Sequence, residues 1–150
     1  MINDISQGFI LDSYKNNEKP YTHTDNYAEI NVWPEFLDIK NHDLDFIYIW
    51  AYHISIKNLS QDDWQLISRH FRIIDEKGRV MEVDGEGVVG EQPVIKSQQV
   101  FQYSSGVHLK TASGIMSGYY KMHNLQTNEF MHFTLPSFSL HLPSDKPLQN

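Results

Sequence analysis

The segment from Phe46 to Lys57 limits the fold more than any other stretch of the chain. Phe46, Tyr48, Trp50, Tyr52, Ile54 and Ile56 alternate with Ile47, Ile49, Ala51, His53, Ser55 and Lys57. The first set is large and apolar throughout, whereas the second turns polar along the segment. A period of two sends alternate side chains to opposite faces of a β-strand, so this strand has one face that must be buried. A lone strand cannot bury that face, and a second packed layer is required.

Further strand patterns supply the second layer. Glu29 to Ile39 is one, with Pro34 confining it to an edge or a bulge. Trp64 to Ile74 is another, ending in Asp75-Glu76-Lys77-Gly78, a hairpin-type turn in which Gly78 takes positive φ; Arg79 to Val83 returns. Gln98 to Ser104 and Ile115 to His123 follow. In the last strand Met131, Phe133 and Leu135 share one parity, and Phe138, Leu140 and Leu142 share the other. A bulge at Pro136-Ser137 adds the one residue that keeps both sets inward. About seven short strands, with no long helical period and no internal repeat, predict an all-β sandwich of two antiparallel sheets.

The domain limits follow from the same patterns. Residues 1–29 are polar and rich in Asn, Asp, Lys and Tyr, and read as an N-terminal extension. Within it Ile5, Phe9 and Ile10 form one short helical face that Gly8 weakens. The sandwich spans residues 30–143, and residues 144–150 are a C-terminal tail.

At 150 residues the chain is long enough for one domain with a real core. Its 12 basic and 19 acidic residues give a net charge of −7, which argues against binding nucleic acid through the phosphate backbone. There is no cysteine, hence no disulfide or thiol chemistry, and a reducing cytoplasm is the easiest fit. No apolar run approaches the roughly 20 residues that span a bilayer. Met1-Ile2-Asn3-Asp4 lacks the basic start of a secretory signal, so no membrane association is expected.

Asp84-Gly85-Glu86-Gly87-Val88-Val89-Gly90-Glu91-Gln92-Pro93 contains Gly85-x-Gly87-x-x-Gly90, the spacing of a dinucleotide fingerprint. That fingerprint needs a helix after it to receive the diphosphate, and Pro93-Val94-Ile95 carries no helical period. The commoner role of such glycines is a tight turn or a close backbone approach. A nest of backbone N–H groups for a diphosphate or another anion is the alternative. It is opposed by the charges of Asp84, Glu86 and Glu91 unless Mg²⁺ bridges them.

The eight histidines form no HxH, HxxH or HxxxH pair, so a metal site would need convergence of His53, His70, His123 or His132 from separate strands. Arg69 and His70 sit together on a strand, where capping a sheet face or pairing with a carboxylate is the ordinary role. Arg69 shares a parity with Phe71 and is expected to lie along an aromatic ring. Ser104-Ser105-Gly106-Val107-His108 brings hydroxyls near an imidazole in sequence but lacks a Gly-x-Ser-x-Gly elbow, and reads as a turn.

Several of these stretches together resemble the ApaG (DUF525) family. Leu66-Ile67-Ser68-Arg69-His70-Phe71 is similar to its LxSRHW strand, and Gly85 to Pro93 to its GxGVVGxQP loop. Tyr103-Ser104-Ser105-Gly106 resembles its YTSG turn, Met116 to Met122 its MxGxYxM strand, and Leu135 to Leu140 its IPxFxL end. Phe71 replaces the usual Trp, and Ser104 the usual Thr. The resemblance implies an immunoglobulin-like or fibronectin type III-like sandwich. It also implies a genetic link to cobalt resistance and magnesium efflux, and a role in protein interaction, with no enzyme mechanism to carry over.

The expectation is therefore a non-enzymatic binding module with no cofactor, a monomer or weak homo-oligomer that binds a protein partner. An anion or a divalent cation is the further ligand class, with no metal ligand assigned. The candidate contact residues are Gly85, Glu86, Gly87 and Gly90 of the glycine loop, Arg69 and His70, the turn Ser104-Ser105-Gly106, and an exposed sheet edge.

Overall fold

The computed structural model describes residues 19–143. The helical face expected at Ile5, Phe9 and Ile10, and the tail from residue 144 onward, lie outside the described residues. Nine strands follow in order: β1 (Tyr21–Thr24), β2 (Ala28–His42), β3 (Asp45–Asn58), β4 (Trp64–Asp75), β5 (Val80–Glu86), β6 (Val94–Ile95), β7 (Val100–Leu109), β8 (Gly114–Asn124) and β9 (Phe130–Leu140). They form two antiparallel sheets, one ordered β1-β2-β3-β7 and the other β5-β4-β8-β9, with β6 paired to β4. No described residue is helical, so no helix here is long and apolar enough to cross a membrane.

The alternation in β3 does what its period requires. Trp50, Tyr52, Ile54 and Ile56 are buried between the sheets, facing Phe71, Ile73, Met116, Tyr120 and Phe138 in one core. β3 sits inside its sheet, paired with β2 on one edge and β7 on the other. Pro34 pairs with Tyr52, past the last residue of β2 that β1 covers, so its missing N–H falls where β2 is an edge.

The parity switch in β9 is a bulge. Met116 pairs with Phe138 and Gly118 with Leu135, so Pro136 and Ser137 together oppose Ser117. Leu135, Phe138 and Leu140 are all buried as a result. Gly118, opposite this bulge, has φ +150°, and a Cβ there would lie 2.2 Å from the His70 carbonyl oxygen. Only glycine lets β8 run this close to β4.

The sheet array begins earlier than the alternation indicates. β1 lies inside the stretch taken for an extension, pairs with β2 from Tyr21↔Val32 to Thr24↔Glu29, and packs with β2 on β9. The Asp75–Gly78 turn forms as expected, with Gly78 at φ +77° and its N–H donating to the Asp75 carbonyl at 3.0 Å.

Candidate functional site

The glycine loop fills a gap along one edge of β4. β5 occupies that edge opposite Ser68 to Ile74, and β6 occupies it opposite Trp64 and Gln65. Between them β4 bulges at Ile67. The Ile67 carbonyl accepts from Gly87 N–H at 2.8 Å and from Gln92 Nε2 at 2.9 Å. Val88 and Glu91 exchange both backbone hydrogen bonds, at 2.8 and 2.9 Å, around Val89 and Gly90, which both have positive φ. Val88 is buried in the core. A Cβ on Gly87, at φ +61°, would sit 2.0 Å from the Glu91 carbonyl oxygen.

The loop is thus a folded plug anchored on the bulge, and the N–H groups of Gly87, Val88 and Glu91 are already donated, to the carbonyls of Ile67, Glu91 and Val88. A diphosphate cradle needs such groups pointing at the ligand. Glu86 and Gly90 remain exposed at its rim.

Arg69 points into the sandwich, on the same face of β4 as Phe71. Its guanidinium lies over Gly85, where a Cβ would be 2.9 Å from Nη1, and Nη1 donates to the Gly87 carbonyl at 2.7 Å. Gly85 is therefore the space that Arg69 occupies. Beside it the hydroxyls of Tyr103 and Tyr120 lie 2.6 Å apart, joining the two sheets through the core. Burial pushes the phenols of Tyr52, Tyr103 and Tyr120 upward, against the opposing field of Arg69. All three stay protonated, and Tyr52 bonds Ser105.

His70 faces the other way. Its Nδ1 lies 3.0 Å from Asp84 Oδ1 and its Nε2 2.9 Å from Ser68 Oγ. The ring stacks on Tyr119 at 5.0 Å, which stacks on His132 at 4.0 Å. Among the described residues no three His, Asp or Glu side chains gather as a metal site.

Ser104-Ser105-Gly106 is not a turn. The three residues lie in the middle of β7, paired with His53, Tyr52 and Ala51, and all are buried. A Ser-Ser-Gly run is turn-like in composition, which is why the sequence pattern ends this strand at Ser104. In β7 the small residues instead let a buried edge strand lie flat on β3. They cannot act with the glycine loop as one contact surface.

Two features escaped the sequence reading. His53 is fully buried, with Nδ1 2.6 Å from Ser104 Oγ and Nε2 2.8 Å from Glu35 Oε1. The order Ser, His, Glu matches a nucleophilic relay in connectivity, but with His53 and Ser104 both closed to solvent the hydroxyl has no route to a substrate. The arrangement ties β2, β3 and β7 together across the sheet.

The second feature is a cleft between β5 and β7. Met81 and Val83 pair with Ile73 and Phe71, so they face inward with them. Ile73 and Phe71 are each 1 % exposed, yet Met81 is 43 % exposed. A hollow separates it from Gly106, Val107 and His108 of β7 in the opposite sheet. Two adjoining hollows of about 220 Å³ and about 260 Å³ share Ile73, Met81 and His108, and Gly106 and Val107 line the first. Among the described residues β7 is the last strand of its sheet, and its outer edge runs along this cleft. A 3.6-fold or twofold pattern in sequence gives no sign of it, because the signal lies in which strands face each other.

The fold and these motifs define a small antiparallel two-sheet sandwich with a plugged glycine loop. The ApaG domain model matches residues 40–124, and the chain belongs to the ApaG family. It is 44 % identical over 124 residues to Protein ApaG of Bradyrhizobium sp. (strain ORS 278), covering 83 % of this chain and 95 % of that one. Protein ApaG of Paramagnetospirillum magneticum is 42 % identical over 130 residues, 87 % of this chain and 99 % of its own length. The crystal structure of the putative ApaA protein from Bordetella pertussis superimposes with a TM-score of 0.70 at 31 % identity, covering 79 % of this chain and 95 % of that one.

Proposed function

We propose that this chain is a non-catalytic protein-interaction module whose contact surface is the open cleft between β5 and β7. One observation carries the reading: Met81 faces inward yet keeps 43 % exposure, beside a strand edge that has no neighbour in its sheet among the described residues. An uncovered inner face and an unpaired strand edge are complementary to the same object, an extended segment of a partner protein. Its main chain adds to β7, and alternate side chains cover Met81 and Val83. Any tie to cobalt or magnesium handling then runs through that partner.

The test places a photo-crosslinking residue at Val83 in one sample and at His132, on the exposed face of the other side, in a second. Discrete protein adducts at Val83 that are missing at His132 support the reading. Equal adducts at both positions, or none at Val83, overturn it.

A further inference from the structure

β1 covers β2 only as far as Val32, and β2 runs on to His42. From Phe36 onward its outer edge has no neighbouring strand among the described residues. β7 covers β3 only from Tyr48, so before that residue β2 and β3 have only each other. Ile39 pairs with Tyr48 and Asn41 with Phe46, which puts Ile39 and Phe46 on the same face as the core residue Trp50. Trp50 is buried, yet Ile39 is 44 % and Phe46 54 % exposed, and Leu37 and Leu44 are exposed beside them. A two-stranded arm is marginal by itself, and apolar exposure clustered along a free edge marks a place of association.

The edge is complementary to itself. Leu37-Asp38-Ile39-Lys40-Asn41 carries opposite charges on either side of one apolar residue. Two copies related by a twofold axis normal to the sheet pair antiparallel with the same face up. Faces alternate with a period of two, so such a pairing must be centred on one residue. Centred on Ile39, each Asp38 lies opposite the Lys40 of the other copy, and the two Ile39 side chains meet on the inner face. The neighbouring registers, centred on Asp38 or on Lys40, set like charges opposite each other, which is unfavourable. Asp38 and Lys40 are both exposed and form no ion pair among the described residues. In the single chain Asp38 Oδ1 accepts from the Ile39 N–H at 2.8 Å.

We propose that this edge of β2 joins two copies of the chain, paired antiparallel from Leu37 to Asn41 and centred on Ile39. The bulge between Phe36 and Asp38 ends the pairing there and keeps it short, so the dimer is a reversible one. β7 lies at the far end of the same sheet, so both β5–β7 clefts stay open in the dimer. The pairing does not depend on what those clefts bind.

Sedimentation equilibrium of the full-length chain, from micromolar to millimolar concentration, reads the association. The parent is expected to dimerise reversibly. Lys40→Glu or Asp38→Lys alone sets like charges opposite each other on both sides of Ile39, and weakens dimerisation by at least about tenfold. An equal mixture of the two variants dimerises again, because one copy then carries both positive charges and the other both negative ones. A misfolded variant would not be rescued in this way. A parent that stays monomeric at every concentration, single variants that dimerise as the parent does, or a mixture as monomeric as its components would each overturn the proposal.

Discussion

On the side where β9 meets β1 and β2, rings seal the two sheets together: Phe138 lies 6.1 Å from Tyr21 and 6.1 Å from Tyr52. Further along, Trp64 and Phe133 lie 5.1 Å apart with Tyr27 against both. On the side where β5 faces β7, no such ring seam exists among the described residues, and Met81 and Val80 stay exposed. Here β5 is held to β4 by the ladder from Ser68↔Glu86 to Ile74↔Val80, closed at its ends by the Asp75–Arg79 turn and by the glycine loop on the Ile67 bulge. Apolar packing fastens one side, and local polar geometry fastens the other. Packing between the sheets buries a whole region cooperatively, whereas a ladder with its turn and loop anchor fixes a strand within its own sheet. The second side is therefore the one that can accept another chain without unfolding.

The largest expected effect is at the sealed side. Phe138→Ala removes the ring that Tyr21 and Tyr52 share, and should cost about 3–5 kcal/mol in urea or guanidinium unfolding. A cost near that of an exposed residue would mean the seam contributes little and the contrast between the sides is false.

Gly87→Ala comes next. The new Cβ would meet the Glu91 carbonyl, and the backbone is already at positive φ. A loss of roughly 1–3 kcal/mol is expected. Hydrogen exchange should quicken most in β5 and β6, which the loop anchors, and least in β9. Uniform quickening would show that the loop supports the whole sandwich, not one side.

Asp75 tests the other end of β5. Burial pushes its carboxyl up, but hydrogen bonds from Arg79 and from the Lys77 and Arg79 amides, with the Arg79 charge, hold it below the usual range. A depressed carboxylate stabilises the fold above its unfolded pKa, and that contribution is lost as pH falls through the folded value. Asp75→Asn should therefore lower the urea midpoint at about pH 7 and flatten its decline below about pH 4. A variant whose acid limb matches the parent's would remove Asp75 from the account.

How far these features were legible in the sequence depends on what kind of fact each one is. The face of β3 was readable because alternation is local. The β9 bulge was readable because Pro136-Ser137 marks where two parities meet. β1 was not, since four residues, Tyr-Thr-His-Thr, have too little pattern to stand out from the polar stretch before them. Ser104-Ser105-Gly106 misled because residue type describes what a segment tolerates, and β7 needed small residues in a buried strand. Arg69 and Gly85 were singled out as contact residues. Their pairing across β4 and β5 shows that one is absent of side chain because the other fills its place. The exposed inner face of Met81 arises from which strands oppose each other, which no window of sequence contains.

The smallest effect is the most telling for the open side. Met81→Ser deletes an inward-facing apolar side chain, which in a covered core would cost about 2–5 kcal/mol. Met81 keeps 43 % exposure, so most of that transfer free energy is never gained on folding of the isolated chain. The expected cost is within about 1 kcal/mol, from unfolding midpoints at low protein concentration. The same variant should lose the crosslinks formed at Val83, because the apolar surface matters only when a partner covers it. A stability loss as large as that of Phe138→Ala would mean that β5 closes against β7 in solution, and the cleft would then be core.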